Sequence, residues 1–281
     1  MRAAVLGSPV AHSLSPVLHT AAYRALGLDG WSYDLHECDE AGLAGFVAGL
    51  GCGWAGLSLT MPLKRVVLGV AEEVSSTAAA VGAANTLVLT DGRRFADNTD
   101  VIGIVAALRG AGLGGPGPGG PGAGGRAVVL GAGGTAQAAL AALRDLGVDD
   151  VTVLVRNPAR AAELRATAER LGVSPVVDDA LTDAARAATV LEKADVVIST
   201  LPGGAADALA GTGAGAIVLD VVYAPWPTPF AATAQAGGAR VVSGLEMLLH
   251  QAVAQVELMT GRPGPVDAMR EALDAAVTER A

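Results

Sequence analysis

The sequence predicts an α/β protein of two lobes, on three observations. Short apolar runs alternate with helical stretches through residues 1–100. A Gly- and Pro-rich segment, 110–125, interrupts this pattern, and a second alternation of strands and helices follows it. Composition agrees: Ala and Gly dominate, 51% of the 281 residues are hydrophobic, 17% charged and 3% aromatic. That balance favours helices packed closely on sheets over an aromatic-cored sandwich.

In the first lobe Ala3 to Leu6, Trp31 to Leu35, Trp54 to Leu59 and Thr86 to Leu89 read as strands. Pro16 to Leu26, Glu40 to Gly49 and Ser75 to Val81 read as helices, which predicts a mostly parallel sheet. Thr99 to Arg109 is a helix leaving this lobe. The 110–125 run reads as an interdomain linker or as an expanded surface loop, since Gly and Pro do not sustain an element interior. The second lobe has strands at Ala127 to Leu130, Val151 to Val155, Val196 to Ser199, Ile217 to Val221 and Arg240 to Val242, with helices between them. This is the doubly wound, Rossmann-like pattern. From Gly244 the chain is helical to Leu258 and again over Val266 to Val277. These helices bring no strands of their own, so they are expected to return to the first lobe. The predicted domains are 1–100, 101–243 and 244–281, with no internal repeat.

The most specific local signal is Gly131-Ala132-Gly133-Gly134-Thr135-Ala136, between the strand Arg126 to Leu130 and an Ala- and Leu-rich helix. Strand, Gly-rich turn and helix is the context of a dinucleotide fingerprint. The glycines allow a tight turn, and the helix N-terminus holds the pyrophosphate charge. The next strand ends in Arg156, where an acidic residue would bind a free ribose 2′-hydroxyl. An arginine there suits a 2′-phosphate, so the strand end predicts NADP over NAD.

Net charge is −9 and the pI near 4.9, which argues against a nucleic-acid-binding surface. Cys38 and Cys52 form no C-x-x-C pair, and His12, His19, His36 and His250 show no metal-ligand spacing, so no metal is expected. No apolar run reaches the ~18 residues of a membrane span. The chain opens on a strand-like segment, Arg2 to Leu6, which predicts no secretory leader and a cytoplasmic location.

Polar residues cluster where strands end. Ser13 and Ser15 lie in the loop after the first strand, before Pro16. The residue before proline favours extended backbone, in which two hydroxyls two positions apart face the same way and suit a carboxylate. The plainer reading makes Ser15 a helix cap, with Pro16 at the first helical position, and Ser13 a solvated side chain. Lys64 follows the third strand, in Thr60-Met61-Pro62-Leu63-Lys64, where open α/β sheets bind ligands. There it is either a solvated lysine or an acid–base group. Asn85-Thr86 opens the fourth strand, and Asp97-Asn98-Thr99-Asp100 precedes a helix, with Asp97 or Asn98 fit to be a turn or cap residue.

Taken together and in order, these motifs resemble the shikimate dehydrogenase family nearly end to end. The matching segments are Gly7-Ser8-Pro9, His12 to Pro16, Ser58 to Lys64, Ala83 to Thr86 and Asn98 to Asp100 in the first lobe. Gly131 to Ala136, Asp220 to Pro225, Thr228-Pro229, Gly244, Met247, Leu248, Gln251 and Ala252 continue the match. The resemblance implies a substrate-binding first lobe and an NADP-binding second lobe. It implies NADP-dependent interconversion of 3-dehydroshikimate and shikimate, a small-molecule reaction of aromatic amino-acid biosynthesis, in a monomer or homodimer. Ser13, Ser15 and Tyr223 would bind the carboxylate. Thr60, Asn85, Asp100 and Gln251 would hold ring hydroxyls, and Lys64 with Asp100 would form the catalytic pair. Gly131, Ala132, Gly133, Gly134, Thr135 and Ala136 would line the pyrophosphate turn, Arg156 and Arg160 would clasp the 2′-phosphate, and Gly244 would border the cofactor.

The chain departs from the family pattern at three places. Ser58 stands where the family usually has Asn, Val155-Arg156-Asn157 stands where Asn-Arg-Thr is common, so that only the arginine is retained, and Ser199-Thr200-Leu201-Pro202 replaces an Asn-Ala-Thr segment. The proposed pair is untouched. Hydride reduction of a ketone leaves an alkoxide, which Lys64 as an ammonium would protonate while Asp100 orients it. A cleft between the lobes would exclude water, and its closure would gate turnover. Two other readings are a quinate/shikimate dehydrogenase of looser substrate or cofactor choice, and a non-catalytic sensor of a shikimate-like ligand. Retention of both Lys64 and Asp100 speaks against the sensor.

Overall fold

The computed structural model describes residues 1–90, 92–114 and 125–280. In chain order the elements are β1 (Arg2–Gly7), α1 (Ser15–Ala25), β2 (Ser32–Glu37), α2 (Leu43–Ala48), β3 (Trp54–Leu59), β4 (Glu73–Val74), α3 (Ser76–Val81), β5 (Thr86–Thr90), β6 (Arg93–Asp97) and α4 (Asp100–Gly110). There follow β7 (Arg126–Leu130), α5 (Gly134–Asp145), β8 (Asp150–Leu154), α6 (Ala162–Leu171), β9 (Val176–Asp178), α7 (Ala184–Leu191), β10 (Val196–Ser199), β11 (Ile217–Asp220), α8 (Pro229–Ala236), β12 (Arg240–Ser243), α9 (Gly244–Thr260) and α10 (Val266–Arg280). The chain divides into two compact units, Met1–Ile102 with Leu249–Ala281, and Gly103–Leu248. Of the Gly- and Pro-rich run read as a linker or loop, residues 115–124 lie outside the described part.

The first unit is built on a six-stranded sheet of order β2-β1-β3-β5-β6-β4. β1 is buried from Ala3 to Gly7 and pairs in parallel with β2 and β3. Its alternate residues feed two cores, as the period of a strand requires. Ala4 and Leu6 join Leu43, Leu57, Leu59, Leu63, Val67 and Leu87 on one face. Ala3 and Val5 join Val10, Tyr23, Tyr33, Ala55 and Met259 of α9 on the other. The returning helix comes so close that a Cβ on Gly56 would lie 2.9 Å from Met259; only glycine fits there.

The sheet is mostly parallel, as expected, with one strand reversed. β5 runs antiparallel to both β3 and β6. The strand β6 was not expected because Arg93 and Arg94 open it and Phe95 and Ala96 are its only apolar residues. The Asp91-Gly92 dipeptide before it is a hairpin-turn signal. Antiparallel pairing has a direct consequence for the site. It sets Ser58 opposite Thr86, and Thr86 opposite Asp97. The end of β3, the start of β5 and the end of β6 therefore meet at one edge.

The second unit has six parallel strands in the order β12-β11-β10-β7-β8-β9. The order reverses between β7 and β10, the switch point where doubly wound sheets bind ligands. Val128, Leu130, Leu154, Val197 and Val218 are buried, as expected of strands covered on both faces. The short β9 carries no such run, which is why its three residues do not stand out in sequence.

Candidate active site and nucleotide turn

Asn85 sits just before β5, and its backbone is fixed from both sides. Its carbonyl accepts from Leu59 N at 2.7 Å and its N–H donates to Asp97 O at 3.1 Å. Asn98 then turns the chain into α4: its Nδ2 donates to Ala83 O at 2.8 Å, and its Oδ1 accepts from Asp100 N at 3.1 Å. Asp100 is thereby the first residue of α4 and almost fully buried. Beyond β3, Lys64 O accepts from Ala84 N at 2.7 Å, which ties the lysine loop to the same edge.

These backbone ties bring the side chains together. Lys64 Nζ donates to Asp100 Oδ2 at 2.5 Å, with 23% of the lysine side chain and 6% of the aspartate exposed. The other carboxylate oxygen, Oδ1, accepts from Asn85 Nδ2 at 2.9 Å. Asn85 Nδ2 also lies 3.2 Å from Gln251 Oε1 on α9. Four residues picked from the sequence thus form one connected polar group: Lys64, Asn85, Asp100 and Gln251. Thr60, at the mouth of the same loop, donates its backbone N–H to Leu6 O at 2.9 Å. One charged hydrogen on a partly exposed ammonium, held by a buried carboxylate, is an arrangement that can pass a proton to a bound oxygen.

Ser13 and Ser15 need a correction. Ser15 is neither extended nor a cap; α1 begins at Ser15, one residue before the proline. The N-cap is Leu14, whose carbonyl accepts from Leu18 N at 3.2 Å. Burying Leu14 outweighs the preference of a pre-proline residue for extended backbone. Ser13 Oγ accepts from Ser15 N at 3.2 Å, so it is the earlier serine whose oxygen serves the first turn. The two hydroxyls are not aligned by an extended segment.

The remaining predicted residues belong to the other unit. Gly131 leaves β7 at φ +103°, a left-handed conformation that favours glycine, and a Cβ there would lie 2.8 Å from Thr200 Oγ1. Gly133 is the N-cap of α5 and provides no side-chain cap, and no acidic residue stands in the first turn. A Cβ on Gly133 or Gly134 would meet nothing within 4 Å. Within the turn of Gly131, Ala132, Gly133, Gly134, Thr135 and Ala136, the backbone at Gly133 and Gly134 and the positive end of α5 therefore face open space. Gln137 Nε2 is buried beside it without a partner among the described residues. A cradle of this kind fits a pyrophosphate. Arg156 and Arg160 are exposed after β8, and neither guanidinium has a partner among the described residues. Asn157, between them, uses its Oδ1 to accept from Ala159 N at 3.0 Å, so its side chain is a turn cap here.

Tyr223 lies in the segment between β11 and α8, held at both ends by Asp220. Asp220 Oδ1 accepts from Val222 N at 3.2 Å and Oδ2 from Thr228 Oγ1 at 2.7 Å. Burial raises the Asp220 carboxyl above the ordinary range, and these bonds oppose the rise. Gly244 opens α9 where a Cβ would run into the Val221 carbonyl. Sequence reasoning missed His19, Tyr33 and Gln255, which are buried beside the group in the first unit. The available signal was Gln251 and Gln255, one helical turn apart on an otherwise apolar stretch of α9.

Known proteins resemble nearly the whole chain. Residues 5–87 match the shikimate dehydrogenase substrate binding domain, and residues 244–273 the shikimate 5′-dehydrogenase C-terminal domain. Residues 127–242 match the saccharopine dehydrogenase NADP binding domain. A shikimate dehydrogenase (NADP(+)) of Moorella thermoacetica is 38% identical over 97% of this chain and 93% of its own. The crystal structure of the Mycobacterium tuberculosis shikimate dehydrogenase is 47% identical, with a TM-score of 0.85 over 98% of this chain and 99% of that one. The Thermus thermophilus shikimate 5-dehydrogenase, solved in complex with NADP(H) and shikimate, is 35% identical, with a TM-score of 0.83 over 98% and 99% of the two chains.

Proposed function

Because the chain belongs to the shikimate dehydrogenase family, we propose that its Lys64–Asp100 pair carries out the proton transfer of that family's reaction. The chain interconverts 3-dehydroshikimate and shikimate with NADP as cofactor. The observation that carries the assignment is the 2.5 Å bond between Lys64 and a carboxylate whose second oxygen is held by Asn85.

Bound NADPH supplies the hydride. The chain's own residues supply the proton and the position. Lys64 donates a hydrogen bond to the substrate's ketone oxygen and gives its proton as that oxygen becomes an alkoxide; in the reverse direction it takes the proton back. Asp100 holds the ammonium in place and, with Thr60, Asn85 and Gln251, receives the ring hydroxyls. Ser13, Ser15 and Tyr223 hold the carboxylate. The turn from Gly131 to Ala136 cradles the pyrophosphate, Arg156 and Arg160 take the 2′-phosphate, and Gly244 borders the cofactor. All of these residues come from one chain, which suits a monomer or a homodimer with one site per chain. Two cysteines left unpaired, Cys38 and Cys52, suit a reducing compartment and a cytoplasmic enzyme.

Lys64→Ala is expected to lower kcat by about a hundredfold to ten-thousandfold, the span for loss of an acid–base group, with a far smaller change in the Michaelis constant for shikimate. Steady-state oxidation of shikimate with NADP measures both. Turnover near the wild-type value would remove Lys64 from the chemistry.

A further inference from the structure

Behind the Lys64–Asp100 group runs a buried chain of polar side chains, four of which, Tyr33, Ser58, Gln255 and Thr86, have no part in the reaction described above. Tyr33 of β2 donates from its hydroxyl to Ser58 Oγ at 2.6 Å. Ser58 Oγ donates to Gln255 Oε1 at 2.7 Å. Gln255 Nε2 donates to Thr86 Oγ1 at 3.0 Å and to Asn85 O at 3.1 Å. Thr86 Oγ1 donates to Asn85 Oδ1 at 2.9 Å. Asn85 Nδ2 then donates to Asp100 Oδ1. Every member is at least nine-tenths buried, so an unmet bond anywhere along it is costly.

The direction of each bond is fixed by groups that have only one role. A backbone carbonyl only accepts, so Asn85 O forces the Gln255 amide nitrogen to its side. The Gln255 oxygen must then face Ser58 and His19 Nε2, the latter 3.3 Å away. His19 is fully buried, and burial lowers its pKa to about 3, so it stays neutral. With Nε2 protonated, its Nδ1 is free to accept from Tyr23 OH at 3.4 Å. At the other end a backbone N–H only donates: Thr99 N reaches Asn85 Oδ1 at 2.8 Å, which turns the Asn85 amide nitrogen toward Asp100. The two anchors agree, and every hydroxyl between them points its proton the same way.

We propose that Gln255 is a positioning residue for the reaction, acting through Thr86 and Asn85 to hold Asp100, and so Lys64, in reacting geometry. The proposal rests on the Lys64–Asp100 assignment. It goes beyond packing because the chain has a polarity: reversing one amide would place an oxygen against the Asp100 carboxylate. Misplacing a reacting group by about 1 Å costs up to about a hundredfold in rate.

The test compares kcat and both Michaelis constants in four variants: Gln255→Met, Thr86→Val, Thr86→Ser and Lys64→Ala. Gln255→Met keeps the length of the side chain and removes its bonds; kcat is expected to fall about tenfold or more, with the Michaelis constant for NADP unchanged. Thr86→Val keeps the shape and removes the hydroxyl, and is expected to lower kcat at least about threefold. Thr86→Ser restores the hydroxyl and is expected to restore kcat. Should Gln255→Met fail to fold, the Thr86 pair decides alone. Wild-type kcat in Thr86→Val, or an equal loss in Thr86→Val and Thr86→Ser, overturns the positioning role while a crippled Lys64→Ala leaves the catalytic pair standing. An active Lys64→Ala overturns the pair and the relay with it.

Discussion

Arg156 and Lys64 are read at the scale of a residue, and each is placed by the end of a strand. Arg156 leaves β8 exposed and without a partner among the described residues, in a chain whose net charge is −9. A free guanidinium in such a place is set for a phosphate, to which it offers a planar pair of charged hydrogen bonds. Arg156→Ala should weaken the use of NADP by on the order of 1.5–3 kcal/mol, about ten- to a hundredfold in kcat/KM, and leave NAD nearly unchanged. The ratio of the two specificity constants at fixed ionic strength reads this directly; an unchanged ratio would detach Arg156 from cofactor choice. The strand end alone singled out Arg156, whereas Lys64, as readily a solvated lysine by itself, stood out only through the run of motifs around it. Ser15 was not, because its conformation is decided by Leu14, whose burial carries the first turn of α1 one residue earlier than Pro16 suggests. Nor was Gln255, whose partners are distant in sequence: Ser58 and Thr86 meet it only once the sheet and α9 are assembled.

Elements decide which of these residues meet. Five of the six parallel strands of the second unit were legible because each holds a short apolar core, and β9 was not. The antiparallel β5–β6 hairpin was missed, since β6 is half charged, and with it went the reason Asn85 and Asp100 are neighbours. The join of α1, β2 and α9 buries His19 between Tyr33, on which it stacks with ring centroids 4.0 Å apart, and Gln255. This has a consequence for stability. The folded pKa is about 3 against an ordinary 6.5, so between those values the unfolded chain takes up a proton that the folded one refuses. Stability contributed by neutral His19 is present above pH 6.5 and is lost progressively as the pH falls toward 3, with a slope of up to about 1.4 kcal/mol per pH unit. Denaturant unfolding across this range should show that slope in the wild type and a shallower one in His19→Gln. Equal slopes would mean that His19 titrates in the folded chain near its usual value.

Of the two units, one carries the Lys64–Asp100 pair with its polar shell, and the other carries the Gly131–Ala136 turn on a doubly wound sheet. Two α/β units were expected from the alternation of strands and helices, and what each would carry was expected only from the motifs and the family resemblance. The grouping of Leu249–Ala281 with the first unit follows from α9 and α10 having no strands to pack on but those already formed. Whether this chain oxidises shikimate with NADP is read from kcat/KM for shikimate and for quinate, each with NADP and with NAD, on the wild-type enzyme. The highest value is expected for shikimate with NADP, with either exchange lowering it by about tenfold or more. A comparable value for quinate or for NAD would mark an enzyme of looser choice, and no turnover in any of the four combinations would rule the activity out.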